Sequence, residues 1–340
     1  MPEITELSLE ELKKYFRDLR EPEFHAVQLF NWIYKKGATE FSSMSNLPKG
    51  LRKNLEEKFS LHNLELIKSL RSIDGTEKFL LRLKDGGAIE AVSIPFDERV
   101  TACISSQLGC RFTCSFCASG QSGFKRNLTT AEMLGELRYI KNNSLRRELT
   151  HLVFMGTGEP LDNYDNLIKA IRVINSPEAF NIGARRITIS TAGVIPGIKK
   201  LSAEGLQVEL SVSLHAADEA TRSKLMPINK KYPLKELINA CAEYIDKTNR
   251  QVTFEFILIK GVNSDLQKAL KLSKILAGLN CKVNLIPFNP IEGLQVETVN
   301  KLEAILFRDY LAKHGINVTM RRERGRDINA ACGQLRLRYA

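Results

Sequence analysis

The chain has 340 residues, about twice the length of an ordinary domain, which predicts two domains or one barrel-like domain with an additional part. Hydrophobic residues make up 43% of the chain and exclude an intrinsically disordered protein. Fifty lysines and arginines against thirty-nine acidic residues give a formal charge of +11, which favours a polyanionic partner. Of the two polyanions considered, nucleic acid and an anionic membrane, we expect nucleic acid.

The first residues and the cysteines indicate the compartment. The N-terminal sequence "MPEITELSLEELKKYF" is acidic and amphipathic, and it lacks the basic and then apolar order of a signal peptide. The sequence contains no run of about 18 apolar residues, so we expect no membrane-spanning helix. We therefore expect a cytoplasmic protein without membrane contact, whose seven cysteines serve metal or redox chemistry rather than a disulfide scaffold.

The first hundred residues change from helical to β-rich patterns. Residues 1–65 predict a small helical N-terminal domain, in which Ser8 and Glu11 have the spacing of a capping box. Residues 66–98 predict a β-hairpin extension, because two hairpin-type dipeptides separate its β-rich runs. These dipeptides are Asp74-Gly75 and Asp85-Gly86.

The remaining region, residues 99–340, repeats a pattern of strand, loop and helix. Six such units predict a parallel sheet that curls into a barrel or partial barrel, with a flat doubly wound sheet as the alternative. The predicted strands are 100–105, 150–155, 186–190, 208–214, 251–259 and 282–287.

A cluster of cysteines follows the first of these strands. Cys110, Cys114 and Cys117 have the spacing C-x3-C-x2-C. Structural zinc needs four protein ligands, often as two separated pairs, and no second pair is present here. Iron–sulfur clusters are held by cysteine thiolates at short spacings, and three thiolates would leave one iron open to another ligand. Structural zinc and three buried, apolar cysteines remain the alternatives.

With Phe116 before its last cysteine, the triad resembles the radical S-adenosylmethionine (SAM) superfamily. The resemblance implies that Cys110, Cys114 and Cys117 hold one 4Fe–4S cluster and that SAM chelates the fourth iron. One electron from the cluster then cleaves SAM to methionine and a 5′-deoxyadenosyl radical. The superfamily's partial β/α barrel agrees with the predicted parallel sheet.

A narrower resemblance extends over nearly the whole chain. Six motifs in order resemble the dual-specificity RNA methyltransferases that methylate C2 of adenine in 23S ribosomal RNA and in tRNA. The implied fold is α/β, a radical-SAM partial (β/α)6 barrel with a small helical N-terminal domain and a β-hairpin extension. Residues 99–340 would form the radical SAM core with a C-terminal tail that carries a catalytic cysteine. The motifs are "SQLGCRFTCSFCASGQSGFKRNLT", "FMGTGEPLDN", "RRITISTAGVIPGI", "SLHAADEATRSKLMPIN", "IPFNP" and "DINAACGQL".

Two positions depart from the usual family pattern. Ser119 stands where Thr is common, and Thr157 stands where Met is common. Neither side chain is an expected iron ligand, so both departures leave the predicted cluster site unchanged.

The resemblance also implies the residues that contact SAM. Gly158 and Glu159 lie in the loop "GTGEP" after a predicted strand, where barrel enzymes place their active sites. Other implied contacts follow the ends of later strands, so that short polar groups converge on one ligand. These are Ser190, Ser213, Leu214, His215 and Asn289. Taken singly, each is more typical of a capping or half-buried polar residue, and the loop alone would be a Gly-rich turn.

Three further residues receive catalytic roles from the resemblance alone. It implies that Cys332 is methylated during turnover, and that Cys103 is a second catalytic cysteine rather than a cluster ligand. It also implies that Glu90 accepts a proton. Without the resemblance, Cys332 is interpreted as a small core residue and Glu90 as an exposed acid on a strand.

The implied reaction uses two SAM molecules in a ping-pong sequence. One SAM methylates Cys332, and the radical from a second SAM takes a hydrogen from that methyl group. The resulting methylene radical adds to C2 of adenine, which is electron-poor and suits such a radical. The C2 proton passes to Glu90 or through Cys103, and Cys103 attacks Cys332 to release the RNA and leave a disulfide.

The expected partners are 23S rRNA, tRNA and an electron donor such as flavodoxin, and we expect a monomer. The helical N-terminal domain is a candidate RNA-contacting module. Eight basic residues near the motifs are candidates for a phosphate-binding rim, with ordinary solvated surface charge as the alternative. They are Lys125, Arg126, Arg185, Arg186, Arg321, Arg322, Arg324 and Arg326.

Two other functions compete with this prediction. The sister activity methylates C8 of the same rRNA adenine with the same cysteines and tends to have Ala where Pro160 stands here. A non-catalytic RNA-binding protein with a structural metal is the alternative from another class.

Overall fold

The computed structural model describes residues 1–121, 123–143, 148–289, 296–322 and 324–335. Its strands are β1 (Glu65–Arg71), β2 (Glu77–Arg82), β3 (Ala88–Phe96), β4 (Arg99–Cys103), β5 (Gln107–Gly109), β6 (Phe124–Asn127), β7 (Glu148–Phe154), β8 (Ile187–Thr191), β9 (Glu209–Ser213), β10 (Val252–Leu258), β11 (Cys281–Pro287) and β12 (Asn317–Met320). Its α-helices are α1 (Leu9–Asp18), α2 (Phe24–Phe30), α3 (Lys49–Lys58), α4 (Ala118–Gln121), α5 (Thr130–Asn143), α6 (Tyr164–Asn175), α7 (Ile195–Leu201), α8 (Glu219–Leu225), α9 (Leu234–Thr248), α10 (Leu266–Leu276) and α11 (Lys301–Lys313).

Parallel strands form the centre of the molecule. Within the described residues, one sheet has the order β1-β2-β3-β4-β7-β8-β9-β10-β11-β12, and every pairing from β4 to β12 is parallel. The parallel strands follow chain order without the reversal that creates the switch point of a doubly wound sheet. The flat doubly wound alternative is therefore wrong, and the predicted strand–helix repeat is confirmed, with β12 as an additional strand.

The β-rich segment before the barrel continues the same sheet. Strands β1 to β4 pair antiparallel in sequence, and the last pair joins Phe96 to Arg99 across the predicted boundary between extension and core. Both predicted hairpin turns are present, with positive φ at Gly75 and Gly86. The hairpins therefore add an antiparallel edge to the barrel, and the carboxyl end of β4 lies next to β3.

The N-terminal helices share one hydrophobic core with the barrel. Ser8 and Glu11 form the predicted capping box at the start of α1. The continuous core extends from Ile4 in the first turn to Ile316 before β12. Among the helices that the structure describes, none combines the length and apolar character needed to cross a bilayer.

A buried arginine ties the N-terminal region to the barrel. Arg138, on α5, is only 4% exposed. Its guanidinium donates to the carbonyl of Ala38 at 2.9 Å, to Oδ1 of Asn63 at 2.8 Å and to the carbonyl of His62 at 3.4 Å. Ala38 lies between α2 and α3, and His62 and Asn63 lie between α3 and β1, so Arg138 holds two segments of the N-terminal region against α5.

We expect Arg138→Met to lower the free energy of unfolding by about 2–4 kcal/mol, because it leaves buried acceptors without a donor. Urea unfolding and limited proteolysis of the N-terminal helices measure the effect. The matched control is Arg172→Met, since Arg172 is exposed and pairs with Glu204 at 2.8 Å on the surface. That control should cost less than about 1 kcal/mol. Equal losses in both variants would contradict the proposed tie.

Candidate active site

The three cysteines of the triad line one cavity. Backbone hydrogen bonds hold their loop, from Cys110 N–H to the Gly123 carbonyl at 3.1 Å and from Cys117 N–H to the Cys114 carbonyl at 3.1 Å. Burial raises the pKa of Cys110 to about 12 and that of Cys114 well above its usual value. Thiols in such surroundings become thiolates only when a cation replaces the proton, as a metal ligand requires.

The cavity opens at the carboxyl ends of the parallel strands. It encloses about 870 Å³ when its open mouth is included. Its walls come from the ends of β7 to β11, from the cysteine loop and from the C-terminal tail that carries Cys332. In the part of the chain that the structure describes, no three His, Cys, Asp or Glu side chains converge on the position of a single metal ion. The thiolates that hold a cubane cluster need not converge on one point, because each thiolate binds a different iron.

The loop after β7 forms one wall and depends on its glycines. Gly158 has φ +109°, and an added Cβ would lie 2.5 Å from Cβ of Gln107. Gln107 in turn accepts a hydrogen bond from the backbone N–H of Glu159 at 2.9 Å. Only glycine permits this conformation and this close approach, so the loop can lie directly against the strand beside it.

Glu159 is a buried carboxylate on the cavity wall. Its two oxygens accept hydrogen bonds from the N–H of Leu161 at 3.0 Å and from the N–H of Ala192 at 2.6 Å. Burial nevertheless raises the pKa of Glu159 to about 7. A cationic ligand in the cavity would lower that pKa again, so the site suits an ammonium group.

The strand ends carry most of the predicted SAM contacts to this cavity. Ser190, Ser213 and His215 line it together with Gly158 and Glu159. Nδ1 of His215 accepts the N–H of Ile257 at 3.0 Å, and burial lowers the histidine pKa to about 3. The ring is therefore neutral, and its proton is on Nε2.

Two predicted contacts lie elsewhere. The side chain of Leu214 is fully buried in the hydrophobic core and does not line the cavity. Asn289 lines a neighbouring cavity, and its Nδ2 lies 3.4 Å from the carbonyl of Cys332. Its buried Oδ1 receives no hydrogen bond from any described residue, which leaves an acceptor for a ligand.

Cys332 stands between the two cavities and lines both. The second cavity has a similar volume and is also lined by Cys103, Arg322 and Arg324. Burial, and then the neighbouring Cys332, raise the pKa of Cys103 to about 12. The two cysteines are therefore close neighbours, and Cys103 reaches only the second cavity.

Glu90 lies on β3 and lines neither of the two cavities. It is 5% exposed, so its interpretation as an exposed acid from the residue pattern alone is wrong. The reason is the packing on β3, where residues 88–93 are all buried. Its carboxylate is 3.1 Å from Nζ of Lys78, and its backbone carbonyl accepts from Oγ of Ser105 at 2.9 Å.

Comparison with known proteins assigns the chain to a family. The model of the Radical SAM superfamily matches residues 104–272, and that of the ribosomal RNA large subunit methyltransferase N-terminal domain matches residues 3–61. A probable dual-specificity RNA methyltransferase RlmN of Geobacillus kaustophilus is 44% identical over 338 residues, which are 99% of this chain and 93% of the relative. The chain belongs to the RlmN family.

Other relatives agree with this assignment. The RlmN protein of Caldicellulosiruptor saccharolyticus is 46% identical over 336 residues, 99% of this chain and 97% of its own length. The crystal structure of a radical SAM methyltransferase from Sphaerobacter thermophilus superposes with a TM-score of 0.95. It is 41% identical and covers 99% of this chain and 100% of its own.

Membership of the RlmN family confirms the predicted enzyme class and fold. The protein is a SAM-dependent radical RNA methyltransferase that uses a 4Fe–4S cluster and SAM, and its substrate is RNA. The cavity fits these groups, because it combines three thiols, a buried carboxylate that suits an ammonium group, and sufficient volume.

The sequence pattern did not indicate Glu255. It lines the cavity of the cysteine triad from β10, where burial raises its pKa and Arg321 opposes that shift. A lone acid inside the apolar strand "QVTFEFILI" is the signal that could have revealed it. Arg321 lines both cavities beside Cys332 instead of an outer rim. Arg126 is paired with Asp85 and Glu132.

We expect Gly158→Ala to weaken SAM binding by about tenfold or more, because a side chain at positive φ costs ~1–3 kcal/mol and the new methyl displaces Gln107. Calorimetric titration of reconstituted protein with SAM measures this. Gly183→Ala is the control, since its Cβ would meet no atom within 4 Å. Unchanged SAM affinity in Gly158→Ala would remove this loop from the binding site.

Proposed function

We propose that this enzyme methylates C2 of adenine in 23S rRNA and in tRNA, with Cys332 as the methyl carrier. One observation supports the proposal above the others: Cys332 lines both the cavity of the cysteine triad and the cavity of Cys103. A single sulfur can therefore accept a methyl group on one side and present it to RNA on the other. The relatives are named as dual-specificity RNA methyltransferases, which agrees with two RNA substrates.

The chemistry of the target explains why a carrier is needed. C2 of adenine lies between two ring nitrogens and is too electron-poor to attack an electrophilic methyl group directly. When bound at Cys110, Cys114 and Cys117, the cluster with SAM supplies a methyl group and a carbon-centred radical. The protein must provide a nucleophile for the methyl group, and the thiolate of Cys332 is suited to this. Burial raises the pKa of Cys332, and the neighbouring Arg321 opposes that shift and so favours the thiolate.

Cys103 and Glu90 would complete the reaction. Once the methylene carbon joins Cys332 to C2, the adduct must lose the C2 proton and one electron. We assign acceptance of the proton to Glu90, and the oxidised cluster that the three cysteines would hold would take the electron. The Cys103 thiolate then attacks the sulfur of Cys332, so that an S–S bond forms and the S–CH₂ bond breaks. The released electron pair takes up a proton to complete the methyl group. A cellular thiol reductant returns the disulfide to two thiols.

The second cavity is the proposed entrance for RNA. Arg322 and Arg324 line it with Cys103, which favours phosphate contacts around a flipped-out nucleotide. The formal charge of +11 also suits an acidic electron donor of the flavodoxin type. The seven cysteines are free, as is typical of a reducing cytoplasm, where we propose that the enzyme acts as a monomer.

Analysis of modified nucleosides tests the position of methylation. Reconstituted enzyme, SAM, a reductant and fragments of 23S rRNA or tRNA should give 2-methyladenosine by mass spectrometry. Cys110→Ala should lose iron and all product, whereas Cys103→Ala should keep the cluster. A product methylated at C8 would support the sister activity instead. RNA binding without SAM cleavage or product would support the non-catalytic alternative.

The two catalytic cysteines should fail in different ways. Cys332→Ala should form neither product nor a covalent protein–RNA species, because it has no carrier. Cys103→Ala should accumulate an RNA adduct through Cys332, because no thiol displaces that sulfur. A denaturing gel with labelled RNA and peptide mapping of the slow band distinguish these outcomes. A slow band in Cys332→Ala would reverse the assignment of carrier and resolving thiol.

A further inference from the structure

A row of side chains crosses three strands beneath the C-terminal tail. Lys78 on β2 lies opposite Val92 on β3, and Val92 lies opposite Cys103 on β4. Residues directly opposite each other share one face of a sheet. On this face Val92 and Cys103 pack against Ala330 and Leu335 of the tail, next to Cys332. Lys78 therefore stands at the outer end of a row that leads to the resolving thiol.

Lys78 contacts both the proposed proton acceptor and the tail. Its Nζ lies 3.1 Å from Oε1 of Glu90, which is its diagonal neighbour across the same strand pair. The same Nζ donates to the backbone carbonyl of Asn329 at 3.0 Å, three residues before Cys332. One ammonium group therefore joins the carboxylate of Glu90 to the segment that carries the methyl carrier.

The hairpin that carries Lys78 also holds the tail at a second place. Oγ of Ser72 donates to Oδ1 of Asp327 at 2.6 Å, and the N–H of Gly325 donates to Oδ2 of Asp74 at 3.0 Å. These contacts dock residues 325–327 on the hairpin turn. The contact of Lys78 with Asn329 is the one that extends this docking to Glu90.

Stability alone does not account for the Lys78–Glu90 pair. The two side chains are only 11% and 7% exposed, so the pair has lost most of its hydration. Apolar residues of similar size usually stabilise such a position as well as a buried ion pair does, or better. An apolar pair cannot hold a carboxylate in one orientation, which a proton acceptor requires.

We propose that Lys78 is a positioning residue that aligns Glu90 with the Cys332 tail for removal of the C2 proton. The proposal rests on the proposed function. In this step the C2–H bond breaks, its electron pair enters the adenine ring, and the proton bonds to a carboxylate oxygen of Glu90. The unpaired electron left on the ring by radical addition would return to the oxidised iron–sulfur cluster that Cys110, Cys114 and Cys117 would hold. Lys78 itself exchanges no proton; it holds the acceptor and the carrier in one geometry. Its loss should slow this step and leave earlier steps unchanged.

The experiment uses reconstituted full-length enzyme in single turnover with labelled RNA, with or without deuterium at C2 of the target adenine. Lys78→Met should bind iron and SAM and form the Cys332–RNA adduct as the wild type does. It should convert that adduct to product about tenfold more slowly or worse, which is part of the roughly 100-fold or more that a positioned base contributes. The deuterium isotope effect on that conversion should rise, because proton removal becomes rate-limiting. Lys78→Arg should recover most of the rate, and Lys78→Gln should not.

Arg82→Met is the matched control, because Arg82 lies on the same strand and pairs with Glu65 in an exposed position at 3.2 Å. It should behave as the wild type. Normal adduct conversion in Lys78→Met, or an unchanged isotope effect, would overturn the proposal. Loss of iron or of adduct formation in Lys78→Met and Lys78→Gln would also overturn it and give Lys78 a general structural role. If the wild type and Cys103→Ala form no Cys332 adduct at all, the proposed function fails instead.

Discussion

The sulfur-bearing side chain of Cys332 lies on the wall between two separate cavities, and much of the surrounding structure builds those two cavities. The carboxyl ends of the parallel strands shape the first cavity, while the antiparallel edge at β3 and β4 and the tail shape the second. Cys332 can occupy the wall between them only if its backbone is held firmly. The tail has little regular structure of its own, so the hairpin, Lys78 and Asn289 supply the contacts that hold it.

This arrangement places several charged groups where burial opposes their ionisation. Glu159 and Glu255 line the first cavity with raised pKa values, and Arg321 lies between the cavities. Each such group reduces the stability of the fold unless a partner charge or a ligand compensates it. Sites that bind charged ligands commonly accept this cost, since the same groups then recognise the ligand. The concentration of these groups at one end of the sheet agrees with the proposed site.

The features that the sequence predicted are those that depend on local patterns. Strand–helix repeats predicted the parallel sheet, Asp-Gly dipeptides predicted both hairpin turns, and the cysteine spacing identified the loop whose three cysteines line the first cavity. Contacts between distant segments could not be predicted in this way. The partners Ser72 and Asp327 are 255 residues apart, and nothing in either segment specifies the other. Burial of Glu90 likewise accompanies its contact with Lys78 on β2, which a strand pattern does not reveal.

The docking of the tail on the hairpin also orders events during synthesis of the chain. The hairpin leaves the ribosome about 250 residues before Asn329, which is roughly 12–50 s at ordinary elongation rates. During that interval the face that carries Val92 and Cys103 has no cover, and its thiol is open to oxidants and to other nascent cysteines. Once the last segment arrives, Ala330 and Leu335 pack against Val92 and Cys103 and cover that thiol. Docking of the tail therefore completes the second cavity and buries Cys103 in one event.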